Sequence, residues 1–566
     1  MNLNLKAKQQ NSYDAIVVGT GISGGWAAKE LTEKGLKTLV LERGRMVRHV
    51  ADYPTMNLNP WELENGDRIT AEEQKDYEKQ NRTGYTVKNS TKHWWIKDTD
   101  QPYSEVKRFD WIRGYHVGGR SIMWGRQSYR LGEFDFEANA KDGIAVDWPI
   151  RYADIAPWYD YAEQYIGVNG IADGWIGLPD GKYLPPMEMN CIEKHVKQGI
   201  ESNFKDRIMT MGRSANITQD HNGRHKCMYR NLCIRGCPFG GYFSSNASTL
   251  PAAEATGNME LRPNSIVHSV IYDEAKGKAT GVRVIDAETL ETVEYFANII
   301  FLNASTINTT SIMLNSISDR FPNGLGNDSG ELGHNLMDHH FRVGARADFD
   351  GFEDEYYVGR RPNGIYIPRF RNIGSDKQDY IRGYGYQGGG SRDGWGRGVA
   401  EMEVGPQLKE MVMTPGKWGM GLTGFGEMLP YHENKMVMNN DLKDKWGMPT
   451  VTFDCEIKEN ELKMRVDMKE QAVAMLEAAG MKNVTPYDDA GGPGLGIHEM
   501  GTARMGRDPK TSVLNKWNQV HACKNVFVTD GSAMTSASCV NPSLTYMALT
   551  ARAADYAVKE MKKQNL

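Results

Sequence analysis

Nowhere do the 566 residues hold the roughly 18 consecutive apolar positions that carry a helix across a bilayer, so no membrane-spanning helix is expected. The opening "MNLNLKAKQQNSYDAIVVG" has two lysines but no apolar segment before its first strand-like run, and no export signal of its own is expected. Long blocks of one charge sign are also missing, and the formal net charge is -5. That argues against nucleic acid, which asks for a basic patch. Cysteine is scarce: seven residues, an odd number, exclude a disulfide framework. Apolar residues at 40% and charged residues at 25% are ordinary for a folded protein, and the length predicts roughly two to four domain-sized units. Glycine and tryptophan, by contrast, are plentiful at 60 and 13. They suggest close backbone approaches and aromatic-lined surfaces of the kind carbohydrate clefts have.

Residues 13–44, "YDAIVVGTGISGGWAAKELTEKGLKTLVLERG", read as strand, helix and strand. Gly19, Gly21 and Gly24 form G-x-G-x-x-G at the first turn, and Glu42 ends the second strand some twenty residues on. Glycine permits the tight turn and close approach to a pyrophosphate, the helix N-terminus supplies N–H donors, and the carboxylate accepts from ribose hydroxyls. An acidic residue there suits FAD or NAD rather than NADP. The motif does not choose between those two.

Five more segments follow: "RGYHVGGRSIMWGRQSYRL" (113–131), "NASTINTTSIMLNS" (303–316), "GELGHNLMDHH" (330–340), "GIHEMGTARMG" (496–506) and "NVFVTDGSAMTSASCVNPSLTYMALTARAAD" (525–555). In this order, with the N-terminal unit, the chain resembles the glucose-methanol-choline (GMC) family of FAD oxidoreductases along nearly its whole length. The resemblance implies FAD as the dinucleotide and oxidation of an alcohol, often on a sugar, by hydride transfer to the flavin. Physical reading agrees: "VGGRS" offers backbone N–H groups of Gly118, Gly119 and Ser121 to a ring edge. Asp530 and Gly531 stand just past a strand end, where an α/β sheet binds ligands. By resemblance Val267 holds the adenine through its backbone. His498 aligns with the family's catalytic base, a role histidine suits near neutral pH. Asn541 falls where the family places a second His or Asn that holds the substrate oxygen. His339 and His340 follow the family pattern for a flavin-domain turn and are not needed for catalysis.

The stretch "CMYRNLCIRGCP" departs from most family oxidases. Cys227, Cys233 and Cys237 are spaced C-x5-C-x3-C, and thiolates suit iron–sulfur or zinc, with a Cys-Pro step after the last ligand as in iron–sulfur loops. Three thiolates suit a [3Fe-4S] cluster. The branch that this resembles comprises sugar dehydrogenases, of glucose, glucosides and gluconate, whose catalytic subunits hold such a cluster at this spacing. Zinc with His221 or His225 as a fourth ligand, a [4Fe-4S] cluster reaching Cys191, and free thiols stay open as alternatives. A one-electron cluster beside a two-electron flavin makes sense as a relay to an external acceptor, a cytochrome c or quinone, and argues for a dehydrogenase over an oxidase.

The expected fold is α/β: a Rossmann-like FAD-binding domain, discontinuous over 12–345 and 485–560 with the cysteine loop at about 221–243, and an inserted α+β substrate domain on an antiparallel sheet over 346–484. Within that insert, "GIYIPRFRN", "KMVMNN" and "PTVTFDCEI" alternate like strands, "ENELKMRVDMKEQAVAMLEAAG" is an amphipathic helix ended by Gly480, and 383–398 reads as a mobile loop able to lid the site. The resemblance favours a pyranose or glycoside oxidised to a keto sugar, glucoside C3 first, with gluconate or glucose as rivals. An oxygen-using flavoprotein with structural zinc is the reading from a different class. These dehydrogenases usually travel to the periplasm with a small subunit that carries the export signal; a cytoplasmic enzyme fits as well. Some family members attach FAD through a histidine two residues after the serine of the Gly-Gly-x-Ser loop, where this chain has Met123, and His116 lies off that position. FAD is therefore expected to be non-covalent: acid precipitation should release all flavin to the supernatant, and a yellow pellet would refute this.

Overall fold

The computed structural model describes residues 11–394, 404–489 and 491–566. The first strand, Ser12–Val18, is fully apolar from Ala15 onward and lies at the centre of an eight-stranded sheet. It pairs in parallel with Thr38–Leu41 on one side and Thr292–Leu302 on the other. Cys523–Val528 adds in parallel beyond Thr292–Leu302, and Met259–Arg262 beyond Thr38–Leu41. Buried on both faces, such strands read as continuous apolar runs. The register sets Val18 against Leu41 and Leu302, and Leu302 against Val528, so these strands end level. Thr20, Glu42, Asn303 and Asp530 therefore emerge along one edge, the carboxyl edge where parallel sheets bind ligands. The hairpin Ser265–Asp273 and Lys278–Asp286 extends this sheet through Thr292–Leu302.

The second sheet has six strands, antiparallel where paired: Lys482–Asp488, His339–Phe349, Trp418–Glu427, Tyr384–Arg392, Ile365–Ile367 and Thr210–Met211. The helix Glu459–Ala478 buries Met464, Met468, Ala472, Met475 and Leu476 against it, with Gly480 just beyond at φ +72°. The two parts interleave in sequence: Thr210–Met211 joins this sheet, whereas the hairpin Lys435–Lys443 and Pro449–Asp454 pairs with Ser104–Glu105 instead. Among the described residues, no helix is long and apolar enough to cross a membrane.

The expected lid is corrected. Tyr384–Arg392 is a strand paired along its length with Trp418–Glu427, and 395–398 of the expected loop lie outside the described residues. Tyr384 and Tyr386 are buried on one face, and further along Gly390 lies under a helix. A Cβ on Gly390 would sit 2.2 Å from Ile192 Cγ2 in the helix Cys191–Asn203. Gly390→Ala should therefore cost about 1–3 kcal/mol by overpacking, read as a lower denaturation midpoint. Gly394→Ala, where an added Cβ meets nothing within 4 Å, should leave the midpoint unchanged.

Candidate active site

The level strand ends open onto a cavity of ≈ 570 Å³ that runs from Glu42 and Val267 to His498 and Asn541. Gly19 (φ +95°) turns the chain out of the first strand, and a Cβ there would lie 2.4 Å from the Asn303 carbonyl oxygen. A Cβ on Gly24 would lie 2.0 Å from the Gly19 carbonyl oxygen, whereas Gly21, N-cap of the helix Ile22–Glu33, has nothing within 4 Å of its Cβ position. The first and third glycines thus serve backbone packing, and the second leaves room at a helix N-terminus. Glu42 is buried and accepts from Thr20 N–H (3.2 Å), Thr20 Oγ1 (2.5 Å) and Gly44 N–H (3.0 Å). Burial pushes its pKa up against those donors. Asp530 accepts from Ser532 N–H and Oγ and from Thr309 Oγ1, which makes it the cap of the turn Gly531–Ala533.

The Gly118–Ser121 loop departs from expectation. Its N–H groups are spent inside the protein: Gly118 donates to Thr20 Oγ1 (2.9 Å), Gly119 to the His116 carbonyl (2.8 Å) and Ser121 to the Gly118 carbonyl (3.2 Å). The loop folds into a short 3-10 turn over Gly119–Ile122 that uses these donors. Gly119 and Ser121 still line the cavity, while Gly118 and Gly24 lie behind it. The Ser121 hydroxyl is internal too, donating to Gly118 O and accepting from Ser245 N–H.

The expected base does reach the cavity, inside a one-directional chain of hydrogen bonds. His339 Nε2 is 2.7 Å from the Ser538 carbonyl, which only accepts, so the proton of neutral His339 is on Nε2 and its Nδ1 carries a lone pair. That Nδ1 is 2.8 Å from His498 Nδ1, which must donate, and His498 Nε2 is left as an acceptor on the cavity wall. Asn541 Nδ2 stands 3.4 Å from this Nε2, and Asn541 Oδ1 accepts from Gln387 Nε2 at 2.7 Å. Asn541 thus does not cap the following helix, whose N-cap is Pro542. Burial, then His339 and Arg120, holds the His498 pKa well below its ordinary value, and burial takes His339 down to about 4. Both rings are neutral at working pH.

The backbone around His498 is pinned as well. Asp338 accepts from the N–H groups of Gly494 (2.8 Å), Gly496 (2.8 Å) and His498 (3.0 Å). Burial, then the charge of Glu499, pushes Asp338 up to about 7 against those donors. Glu499 is held bidentate by Arg120 at 3.1 and 2.8 Å. Asp338, His339 and His498 offer ligand atoms within 4.8 Å of one another, but hydrogen bonds already occupy them. Sequence reading missed Asp338, His339, Arg120 and Gln387 as parts of the site. Strand alternation puts Gln387 opposite the buried Tyr384 and Tyr386, a signal hidden by reading this stretch as a loop.

Buried polar atoms of cavity-lining residues, Asn303 Nδ2 and Tyr546 Oη among them, have no hydrogen-bond partner. With the glycine turn, Glu42 and Val267 at one end, the cavity fits a bound dinucleotide whose ring system reaches His498. Cys227, Cys233 and Cys237 are free thiols, and Cys233, with Asn231 and Ile234, lines the same cavity. Burial raises Cys227 to about 11 and Cys237 as well. Tyr229 N–H lies 3.5 Å from Cys227 Sγ and Gly241 N–H 3.4 Å from Cys237 Sγ. The three sulfurs are not gathered within 4.8 Å of one another, the closeness that ligands of a single ion need. His221 Nε2 is tied to the Gln164 carbonyl at 2.7 Å, which counts against its service as a zinc ligand.

Residues 13–341 and 430–550 match the N- and C-terminal profiles of the GMC oxidoreductases. The chain is 28% identical to 2-methyl-1,2-propanediol dehydrogenase of Mycolicibacterium austroafricanum, over 96% of this chain and 94% of that one. It is 26% identical to the fructose dehydrogenase large subunit of Gluconobacter japonicus, over 98% and 99%. It is 25% identical to the gluconate 2-dehydrogenase flavoprotein of Pantoea cypripedii, over 96% and 93%. Among solved structures, formate oxidase of Aspergillus oryzae RIB40 shares the fold with a TM-score of 0.60 at 14% identity, over 98% of this chain and 99% of that one. Pyridoxine 4-oxidase from Mesorbium loti does so with 0.58 at 15%, over 96% and 98%. The chain belongs to the GMC oxidoreductase family, FAD enzymes that oxidise CH–OH groups.

Proposed function

We propose that this protein is the catalytic flavoprotein of a dehydrogenase that oxidises a ring hydroxyl of a pyranose sugar or glycoside, C3 of a glucoside first. The observation that carries the chemistry is the hydrogen-bond chain that leaves His498 Nε2 unprotonated beside Asn541. A substrate hydroxyl entering between them gives its proton to Nε2 and takes the second Asn541 N–H on its oxygen. The resulting imidazolium keeps donating Nδ1–H to His339, so the base need not reorient. Bound FAD, held by the glycine turn, Glu42, Val267 and the Asp530–Gly531 turn, supplies the hydride acceptor. Phe341 and Phe425, stacked at 5.0 Å on the cavity wall, offer a platform of the kind sugar rings use. Gluconate and free glucose are the rival substrates within the same branch, and the relatives that act on fructose and gluconate support a sugar-type substrate.

The second part of the reading is an iron–sulfur cluster, [3Fe-4S], on Cys227, Cys233 and Cys237, which would supply one-electron transfer out of the site. Support comes from Cys233 at the cavity wall and from N–H groups aimed at two of the sulfurs. An external acceptor, cytochrome c or quinone, follows from that relay, and a small partner subunit carrying the export signal from the "large subunit" relative. The two sheets correspond in this reading to an FAD-binding part and a substrate-binding part.

His498→Ala should lower glucoside-dependent flavin reduction by about 10²–10⁴ while flavin stays bound. His339→Ala should lower kcat by less, and His339→Gln should restore part of the loss because its Oε1 still accepts from His498. Unchanged reduction in His498→Ala removes it as the base. Anaerobically purified protein should contain iron and sulfide and give an EPR signal that disappears on adding methyl glucoside. Stoichiometric zinc with no iron would overturn the cluster and return oxygen as the acceptor.

A further inference from the structure

Buried arginines in this protein generally neutralise a carboxylate, as burying a lone cation in low dielectric demands. Arg113 pairs with Asp98, Arg130 with Glu163, Arg213 with Asp180, Arg382 with Glu427, Arg207 with Asp206, Arg465 with Asp488 and Arg504 with Glu331. Among the described residues, four buried arginines have no carboxylate at ion-pair distance: Arg126, Arg224, Arg235 and Arg552. Arg552 lies over Trp517, far along the C-terminal helix. The other three surround the cysteine stretch.

Arg126 lines the cavity, donates Nη1 to the Trp124 carbonyl (2.6 Å) and stands 5.5 Å over the Tyr242 ring, whose hydroxyl reaches the Cys233 carbonyl at 3.1 Å. Its charge acts on the Cys227 thiol. Arg224 donates Nη2 to the Ile166 carbonyl and packs against Gly240, three residues past Cys237. Arg235, between Cys233 and Cys237 in sequence, donates both terminal nitrogens to the Leu58 carbonyl and feels the charge of Asp67, whereas the less buried Arg230 reaches the Met56 carbonyl and its charge acts on Cys237. Arg126 Nε, Arg224 Nε and Arg224 Nη1 are buried with no partner at all. No Asp or Glu occurs between Asp220 and Glu254. Arg126 is also held at φ +64°, a backbone region a non-glycine residue occupies only when its surroundings impose it.

Protonated thiols cannot balance these charges, but three thiolates around a metal–sulfide core can. We propose that Arg126 is a built-in counter-charge of an anionic iron–sulfur centre on Cys227, Cys233 and Cys237, and that it raises the centre's reduction potential. This rests on the cluster reading given above. Each reduction of such a centre adds one electron and no proton, so its negative charge grows by one unit. A fixed cation nearby stabilises the reduced form more than the oxidised one. Arg126, on the cavity wall, makes electron departure from the flavin side toward the cysteines more favourable.

The test is an EPR-monitored redox titration of the anaerobic holoenzyme, with iron, sulfide and flavin counted per chain. Arg126→Gln should keep full iron and flavin yet shift the midpoint potential down enough to change the one-electron equilibrium at least tenfold, about 59 mV. Arg126→Lys should retain most of the wild-type potential. A wild-type potential in Arg126→Gln at full iron overturns the proposal and leaves the cluster reading intact. Absence of iron and sulfide from the wild-type protein overturns the cluster reading itself. If Arg126→Gln does not fold, Arg126→Met is titrated in its place, and an unshifted potential there overturns the proposal.

Discussion

The site depends on parallel strands ending level. Because Val18, Leu41, Leu302 and Val528 stand side by side in register, four separate stretches of sequence deliver their next residues to one edge. The glycine turn, Glu42, Asn303 and the Asp530 turn become neighbours through backbone hydrogen bonding alone. Gly19 then has to pass beneath the Asn303 carbonyl, and Gly24 beneath Gly19, with no space for a side chain at either. A slip by one residue in any of these pairings would turn its side chains over and break the edge.

Against that frame the second sheet has a different task. Its strands alternate, one face closed by the helix Glu459–Ala478 and by Cys191–Asn203, the other turned toward the cavity. Phe341, Phe425 and Gln387 come from this sheet, while His498 and Asn541 come from segments that pack on the first. The reacting centre is thus assembled from both sheets.

What could be read in the sequence follows from range. The βαβ unit, its glycines and Glu42 are local, written within thirty-odd residues, and the helix ending before Gly480 announces itself by apolar period and stop signal. His498 and Asn541 were found through the order of motifs along the chain. The strand Tyr384–Arg392 was misread as a loop because its glycines answer to distant partners, Gly385 to Tyr366 and Gly390 to Ile192 in a helix nearly two hundred residues earlier. The donors of Gly118–Ser121 were misjudged for a similar reason: nothing in "VGGRS" says that Thr20 and His116 will claim them. Arg120, Asp338 and His339 act through partners distant in sequence, and single-residue signals do not report such pairs.

Gln387 has a wider consequence. It sits on the second sheet, yet it orients the Asn541 amide that faces His498. With Oδ1 taken up by Gln387, the amide can meet His498 Nε2 only with its N–H side, so a residue of one sheet decides whether a donor or an acceptor faces a ring held by the other.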